Sequence, residues 1–291
     1  MSTRWRILDL SQYSGDIGSG SGRIRAGHDD FPLADVACIL TGPDTRWSGA
    51  FVEIAARYGV PIIACDWRGV PHATTLPWSS NTRVAARHLA QAALSLPRQK
   101  NAWMQVIRAK IKGQSANLPP GDVRHRLETM AGQVRSGDPN NLEAQAAKIY
   151  WAHVFAPDPF RRDPRGAGRN GPLNYGYAVL RGVVVRAIVA AGLSPTLAIH
   201  HRNRSNCFAL ADDLIEPFRP AIDATVQGLA NDASPSESPI KALLVATLST
   251  PMGAHGPTVQ TEITTLTSSL ARYVEGEIDK LPVPTWQGDG G

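Results

Sequence analysis

The sequence predicts an α+β protein: a small N-terminal β-rich domain over residues 1–78, followed by a larger, nearly all-α domain over 79–291. Two observations carry that division. Up to Pro77 the apolar residues fall in short runs rich in Ile, Val and Cys, punctuated by Gly, Ser, Pro and Asp. Beyond it they recur at the period of amphipathic helices. A chain of 291 residues is long enough to bury two modest cores.

Taken in order, WRILDLS, GRIRAG, VACILTG and PIIACD read as strands, and SGDIGSGSGR as a loop joining adjacent ones. WSGAFVEIAARYGV carries Phe51, Ile54, Ala55 and Tyr58 at helical spacing and stops at Gly59-Val60-Pro61, so one helix should pack on the small domain. The predicted helices of the second domain lie in TRVAARHLAQAALSL, AWMQVIRAKIKGQ, DVRHRLETMAGQV, NLEAQAAKIYWAHVF, NYGYAVLRGVVVRAIVAAG, SNCFALADDLIEPF and TEITTLTSSLARYVEGEI. Pro119-Pro120-Gly121, Gly137-Asp138-Pro139 and the 156–172 stretch punctuate them. The tail LPVPTWQGDGG is expected either to hang loose or to dock through Trp286.

Composition narrows the class. Hydrophobic residues make up 43 % and charged residues 19 %, a balance that excludes a disordered chain. The apolar stretches ADVACIL and LRGVVVRAIVAAG read as too short, or too interrupted by arginine, to span a bilayer, and MSTRWRILDLSQ has no secretory signal core. A cytoplasmic protein without a membrane partner is the expectation. Cys38, Cys65 and Cys207 form no CxxC pair, the pattern of reduced thiols and not of a disulfide frame or zinc site. Cys38 and Cys65 lie in apolar runs and should be buried.

The net charge of +5 suits a polyanionic partner, and its placement says more than its total. Arg161, Arg162, Arg165 and Arg169 crowd one short stretch, and Arg202 and Arg204 follow a double histidine, whereas Asp223–Glu237 holds no lysine or arginine. Such clustering suggests a basic path over part of the surface; a plain solvated face is the alternative.

Three polar features stand out. Glu143 shares a helical face with Ala146, Ala147, Tyr150 and Val154, where a carboxylate needs an arginine, a helix N-terminus or a metal. A simple helix-start role beside Asp138, Asn140 and Asn141 would also account for it. His200-His201 follows LSPTLAI and precedes an Arg- and Asn-rich loop, where a histidine can equally cap an element end. In CFALADDLIEPFRP, Asp213 and Glu216 are three apart beside the apolar stripe of Phe208, Ala211, Ile215 and Phe218. Pro217 permits the turn before it to end or kink, and a local salt bridge from Asp212 or Glu216 to Arg219 is the plainer reading. Together, one imidazole and two or three carboxylates beside basic loops suit a hard divalent cation, Mg²⁺ or Mn²⁺. Such an ion polarises a phosphodiester, while the arginines hold the phosphate backbone without reading sequence.

At these residues the chain resembles a known family, the CRISPR-associated integrase of spacer acquisition in its type II form. DPNNLEAQAAKIYW, LNYGYAVLRG and IHHRNRSNCFALADDLIEPFRPAID match it in order and spacing across residues 138–223. The resemblance implies that Glu143, His201 and Glu216 are the catalytic metal ligands, with His200 as the fallback histidine. It makes Asp213 an auxiliary acid and puts Asn206 and Tyr175 near the site; from the charge clusters and not the resemblance, Arg161, Arg162, Arg165, Arg202 and Arg204 would contact DNA. It further implies a homodimer formed through the N-terminal domain, two such dimers bridged by a dimer of the small CRISPR-associated adaptation partner, and possible association with other type II proteins. The substrates would be captured double-stranded DNA, whose 3′-hydroxyls attack the borders of a CRISPR repeat. Asn174, where relatives often carry Asp, and the arginine-rich FRRDPRGAGR loop depart from the family pattern. A plain metal-dependent nuclease and a non-catalytic DNA-binding scaffold are the competing functions.

Overall fold

A computed structural model describes residues 6–67, 71–75, 81–234 and 238–288. The expected boundary at 78/79 lies outside the described residues. The N-terminal region contains β1 (Arg6–Leu10), β2 (Gly15–Gly20), β3 (Arg23–Ala26), β4 (Asp29–Pro32), β5 (Val36–Thr41), β6 (Thr45–Trp47), α1 (Gly49–Arg57), β7 (Ile62–Cys65) and β8 (Pro71–Thr75). They form two four-stranded sheets, ordered β1-β5-β7-β8 and β4-β3-β2-β6. In the first, β1, β5 and β7 run parallel and β8 antiparallel.

Period-two alternation makes this first sheet the joint of the molecule. Leu8, Leu10, Ile39 and Ile62 point into a small core with α1, whereas Ile7, Cys38, Ile63 and Cys65 point into the large helical core. Both cysteines are buried and unbridged, as their apolar context predicts, and Cys207 is exposed and free.

One expectation fails in this region. Gly15–Gly20, read as loop, is β2, paired antiparallel to β3 and parallel to β6. It has almost no strand propensity; only Ile17 anchors it in the core. Pairing on both edges, and a two-residue turn with Ser21 at φ 51° and Gly22 at φ 74°, override that weakness. The short strands β4, β6 and β8 likewise carried too little pattern to be read locally.

The helical region comprises α2 (Val84–Ala92), α3 (Leu96–Ala116), α4 (Asp122–Gln133), α5 (Leu142–His153), α6 (Asn170–Ala190), α7 (Ala209–Leu214), α8 (Arg219–Gln227), α9 (Ser238–Ala246) and α10 (Val259–Val274). The predicted helix over SNCFALADDLIEPF is only α7 followed by a 3₁₀ turn at Glu216–Phe218, because Pro217 removes an N–H and Pro220 restarts the chain as α8. The central helix α6 has the length and mean hydropathy of a membrane span, against the expectation from its arginines, yet 67 % of its most apolar window is buried in this fold. It presses against β5 at Gly182, where a Cβ would lie 3.0 Å from Cys38 Sγ. The tail docks: Trp286 is 1 % exposed and its Nε1 donates to Asn117 Oδ1 at 2.7 Å.

Candidate active site

The site is built where α3, α5 and the 3₁₀ turn converge. Lys110 lies on the apolar stripe of α3, between buried Ile107 and Ile111, so its ammonium cannot be satisfied by bulk water. It finds two carboxylates: Glu143 Oε1 at 2.7 Å and Glu216 Oε2 at 2.6 Å from Nζ. Burial works against the ammonium, but Glu216 and Glu143 outweigh it and raise its pKa. Glu216 Oε1 accepts from Arg219 Nε at 2.9 Å. Burial pushes the Glu216 carboxyl up, and the Arg219 and Lys110 charges outweigh it, holding the group below the usual glutamate range.

Glu143 does not serve the start of its own helix. Asp138 does: its Oδ1 and Oδ2 accept the N–H groups of Leu142 and Glu143, each at 2.9 Å. The Glu143 side chain is therefore available to face Lys110. The local pair foreseen between Glu216 and Arg219 is present, while Asp212 pairs instead with Arg181, Nε to Oδ1 at 2.8 Å.

His201 is held by Asp213. That carboxylate, fully buried on α7, accepts the N–H groups of Ile199, His200 and His201 at 2.7, 2.9 and 3.2 Å, and lies 2.5 Å from His201 Nδ1. Four interactions with one acid fix the loop and turn Nδ1 inward, leaving Nε2 for a ligand. The Asp213 hydrogen bond raises the His201 pKa despite partial burial. His200 faces another way: its ring stacks on Trp103 with centroids 4.1 Å apart and planes 1° from parallel, and burial lowers its pKa.

The structure thus brings Glu143 and Glu216 to one cationic point and sets an oriented imidazole on the loop beside Asp213. Among the described residues no group of three or more His, Cys, Asp or Glu side chains closes on a single point as a finished metal cage. The Lys110 ammonium stands between the two glutamates. The donor chemistry nonetheless suits a hard divalent ion: Glu216 Oε2 is buried and its partner is the Lys110 ammonium 2.6 Å away, a cation held between two carboxylates.

The remaining expected residues scatter. Asn206 organises the turn into α7, accepting from Arg181 Nη2 at 3.1 Å and donating to Asp212 Oδ2 at 2.6 Å. Tyr175 faces Lys241, whose Nζ lies 5.5 Å from its ring, and Lys241 pairs with Asp9 of β1; it marks the junction with the first sheet, and burial pushes its hydroxyl up to about 12. Arg162 is turned inward, donating to Asn170 Oδ1 at 3.0 Å and Asn174 Oδ1 at 2.7 Å. Asn174, in turn, donates to Pro164 O at 2.9 Å and so ties the arginine-rich loop to α6. Arg169 braces the carbonyls of Val226 and Leu229 at 3.0 and 3.1 Å. Arg161, Arg165, Arg202 and Arg204 are exposed, and Arg202 donates to Gln99 Oε1 at 2.9 Å. Sequence reasoning missed Lys110 and Trp103; a lysine interrupting the apolar stripe of α3 was the available signal for the first.

The family described as CRISPR associated protein Cas1 matches residues 23–239 of this chain. A CRISPR-associated endonuclease Cas1 of Neisseria meningitidis serogroup C is 38 % identical over 199 residues, a match that spans 67 % of this chain and 65 % of that protein's length. Among solved structures, a casposase bound to integration product superposes with a TM-score of 0.75 at 20 % identity, covering 97 % of this chain and 93 % of that one. A chain of a Cas6-RT-Cas1–Cas2 complex gives a TM-score of 0.76 at 14 % identity, covering 99 % of this chain and 37 % of that one. At these identities both structures speak to the fold alone.

Proposed function

The chain belongs to the Cas1 family of CRISPR-associated proteins, and from that premise we propose that it is a divalent-metal-dependent DNA endonuclease and integrase of spacer acquisition, acting in the cytoplasm. Glu143, Glu216 and His201 would hold a Mg²⁺ or Mn²⁺ ion. The observation that carries this reading is the meeting of two carboxylates at one cation position, one of them buried.

When bound, the ion supplies Lewis-acid polarisation of a phosphodiester. The protein's own groups do the rest. Arg219 keeps Glu216 ionised and aimed, and Asp213 keeps His201 presented through Nε2. Exposed Arg161, Arg165, Arg202 and Arg204 hold the DNA backbone, and the inward Arg162 stiffens the loop that carries two of them. With a DNA 3′-hydroxyl as nucleophile, one P–O bond forms as another breaks and the captured strand is joined to the repeat. With water, the same site cuts. A casposase of this fold was captured with an integration product, and a chain of this fold sits in a Cas6-RT-Cas1–Cas2 complex, in keeping with a joining reaction and a Cas2-like partner; a small dimeric partner would bridge two homodimers. The N-terminal sheets would supply the dimer contact, and further type II proteins would join the complex.

The test mixes the protein, with and without its small partner, with a labelled duplex bearing free 3′-hydroxyls and a plasmid carrying a CRISPR repeat, in Mg²⁺ or Mn²⁺. Covalent joining that needs metal and is lost in Glu143→Ala, His201→Ala and Glu216→Ala is the expected result. Nicking without joining, lost in the same variants, would reduce the protein to a nuclease. Activity untouched by all three would overturn the site.

A further inference from the structure

We propose that Lys110 is a built-in cation of the active site, competing with the divalent ion for Glu143 and Glu216, so that metal loads fully only when DNA phosphate gives the displaced ammonium a new partner. The inference rests on the metal-dependent reading above and specifies how that site is regulated.

The geometry makes the competition unavoidable. Lys110 Nζ lies 2.7 Å from Glu143 Oε1 and 2.6 Å from Glu216 Oε2. A divalent ion bound to the same two oxygens would stand about 2.0–2.2 Å from each. An ammonium nitrogen and a metal ion cannot both stand between the same two oxygens at bonding distance, because their volumes overlap there and their charges repel. The ammonium must therefore move when the ion arrives.

Where it can go is limited. Lys110 is 9 % exposed, and its stem is packed on α3 beside Ile107, Ile111 and Trp103, all buried. Arg219 already occupies Glu216 Oε1, which leaves no second oxygen of that acid for it. A buried ammonium stripped of its carboxylates is strongly unfavourable. The ligand of the proposed reaction carries what is missing, a phosphodiester oxygen delivered beside the same carboxylates. Lys110 stays charged throughout; only its partner changes. By linkage, whatever factor DNA adds to metal affinity, metal adds equally to DNA affinity. Before DNA arrives, the same ammonium separates the buried Glu216 carboxylate from the half-buried Glu143 carboxylate and holds both in place, so the site is kept assembled and unloaded.

Mn²⁺ binding to the full-length protein, read by the electron paramagnetic resonance signal of the free ion, tests this without any turnover. Wild type, Lys110→Met and Lys110→Arg are titrated with and without a short DNA duplex. Lys110→Met should bind Mn²⁺ roughly tenfold more tightly than wild type in the absence of DNA, and the duplex should tighten the wild type by roughly tenfold but Lys110→Met by less than about twofold. Lys110→Arg, which keeps a cation there, should stay as weak as wild type without DNA. Should Lys110→Met fail to fold, the tightening of wild-type Mn²⁺ binding by DNA still decides, and its absence overturns the proposal. Equal or weaker Mn²⁺ binding by folded Lys110→Met also overturns it. Failure of the metal reading is distinct: Glu216→Ala would then bind Mn²⁺ no worse than wild type, with or without DNA.

Discussion

Two layers of side chains, built from the same three segments and separated by two helical turns, have opposite characters. Lys110, Glu143 and Glu216 form one; Asn117, Tyr150 and Asp223, each seven residues further on, form the other. In the second layer, every partner of the buried acid is a neutral donor. Asp223 Oδ2 accepts from the Tyr150 hydroxyl at 2.9 Å and Oδ1 from the Tyr177 hydroxyl, and Asn117 Nδ2 donates to the Tyr150 oxygen at 3.0 Å. Burial there pushes the Asp223 carboxyl up to about 6, although those hydrogen bonds and the charges of Arg219 and Arg162 oppose it. In the first layer, Lys110 and Arg219 overcome the same burial and hold Glu216 low. One scaffold therefore makes a closed hydrogen-bond network in one layer and a charged ion-pair site in the other. The difference lies in whether the neighbours are cations or hydroxyls.

The sharpest way to break the comparison is to remove an acid from each layer. Glu143→Ala or Glu216→Ala should lower metal-dependent DNA joining by more than about a hundredfold, beyond the ten- to hundredfold expected of groups that only orient ligands, as a strand-transfer assay would read. The second layer should declare itself in stability against pH. Asp223, raised to about 6 in the fold, ionises first in the unfolded chain, so its contribution to stability falls as pH rises from its unfolded value, ordinarily 3.8, through about 6. Asp223→Asn should therefore gain on wild type between pH 4 and pH 7 by on the order of 3 kcal/mol, measured by denaturant unfolding at each pH. Asp213→Asn, which loosens His201, should cost about ten- to hundredfold in Mn²⁺ affinity with little change in DNA binding in the absence of metal. Tyr150→Phe should cost about 1 kcal/mol of stability and leave DNA joining intact, since it removes one neutral hydrogen bond from the closed layer. A comparable loss of joining in Tyr150→Phe would mean that the two layers work as one.

Much of this arrangement was legible locally. Glu143 could be seen as an acid on a half-buried face, and Asp213 and Glu216 as acids on one side of an apolar stripe. Their separate tasks could not: Asp213 turns to the loop at 199–201, and Glu216 to Lys110 and Arg219. The different surroundings of the two histidines could not be read either: Trp103 stacks on the His200 ring, and Asp213 holds the His201 ring. Tyr177 and not Tyr175 looks toward Asp223, a matter of which side of α6 each occupies between the sheet and the other helices.

By itself the sequence determined the two textures of the chain, the long helices, the basic clusters and which acids are costly to bury, because periodicity and residue chemistry act over a few residues. Only the tertiary structure decided that Gly15–Gly20 is a strand, that α6 is a core helix, and that Lys110 stands between Glu143 and Glu216, 33 and 106 residues away. Those outcomes depend on which surfaces meet, and a buried charge takes its role from the charge packed against it.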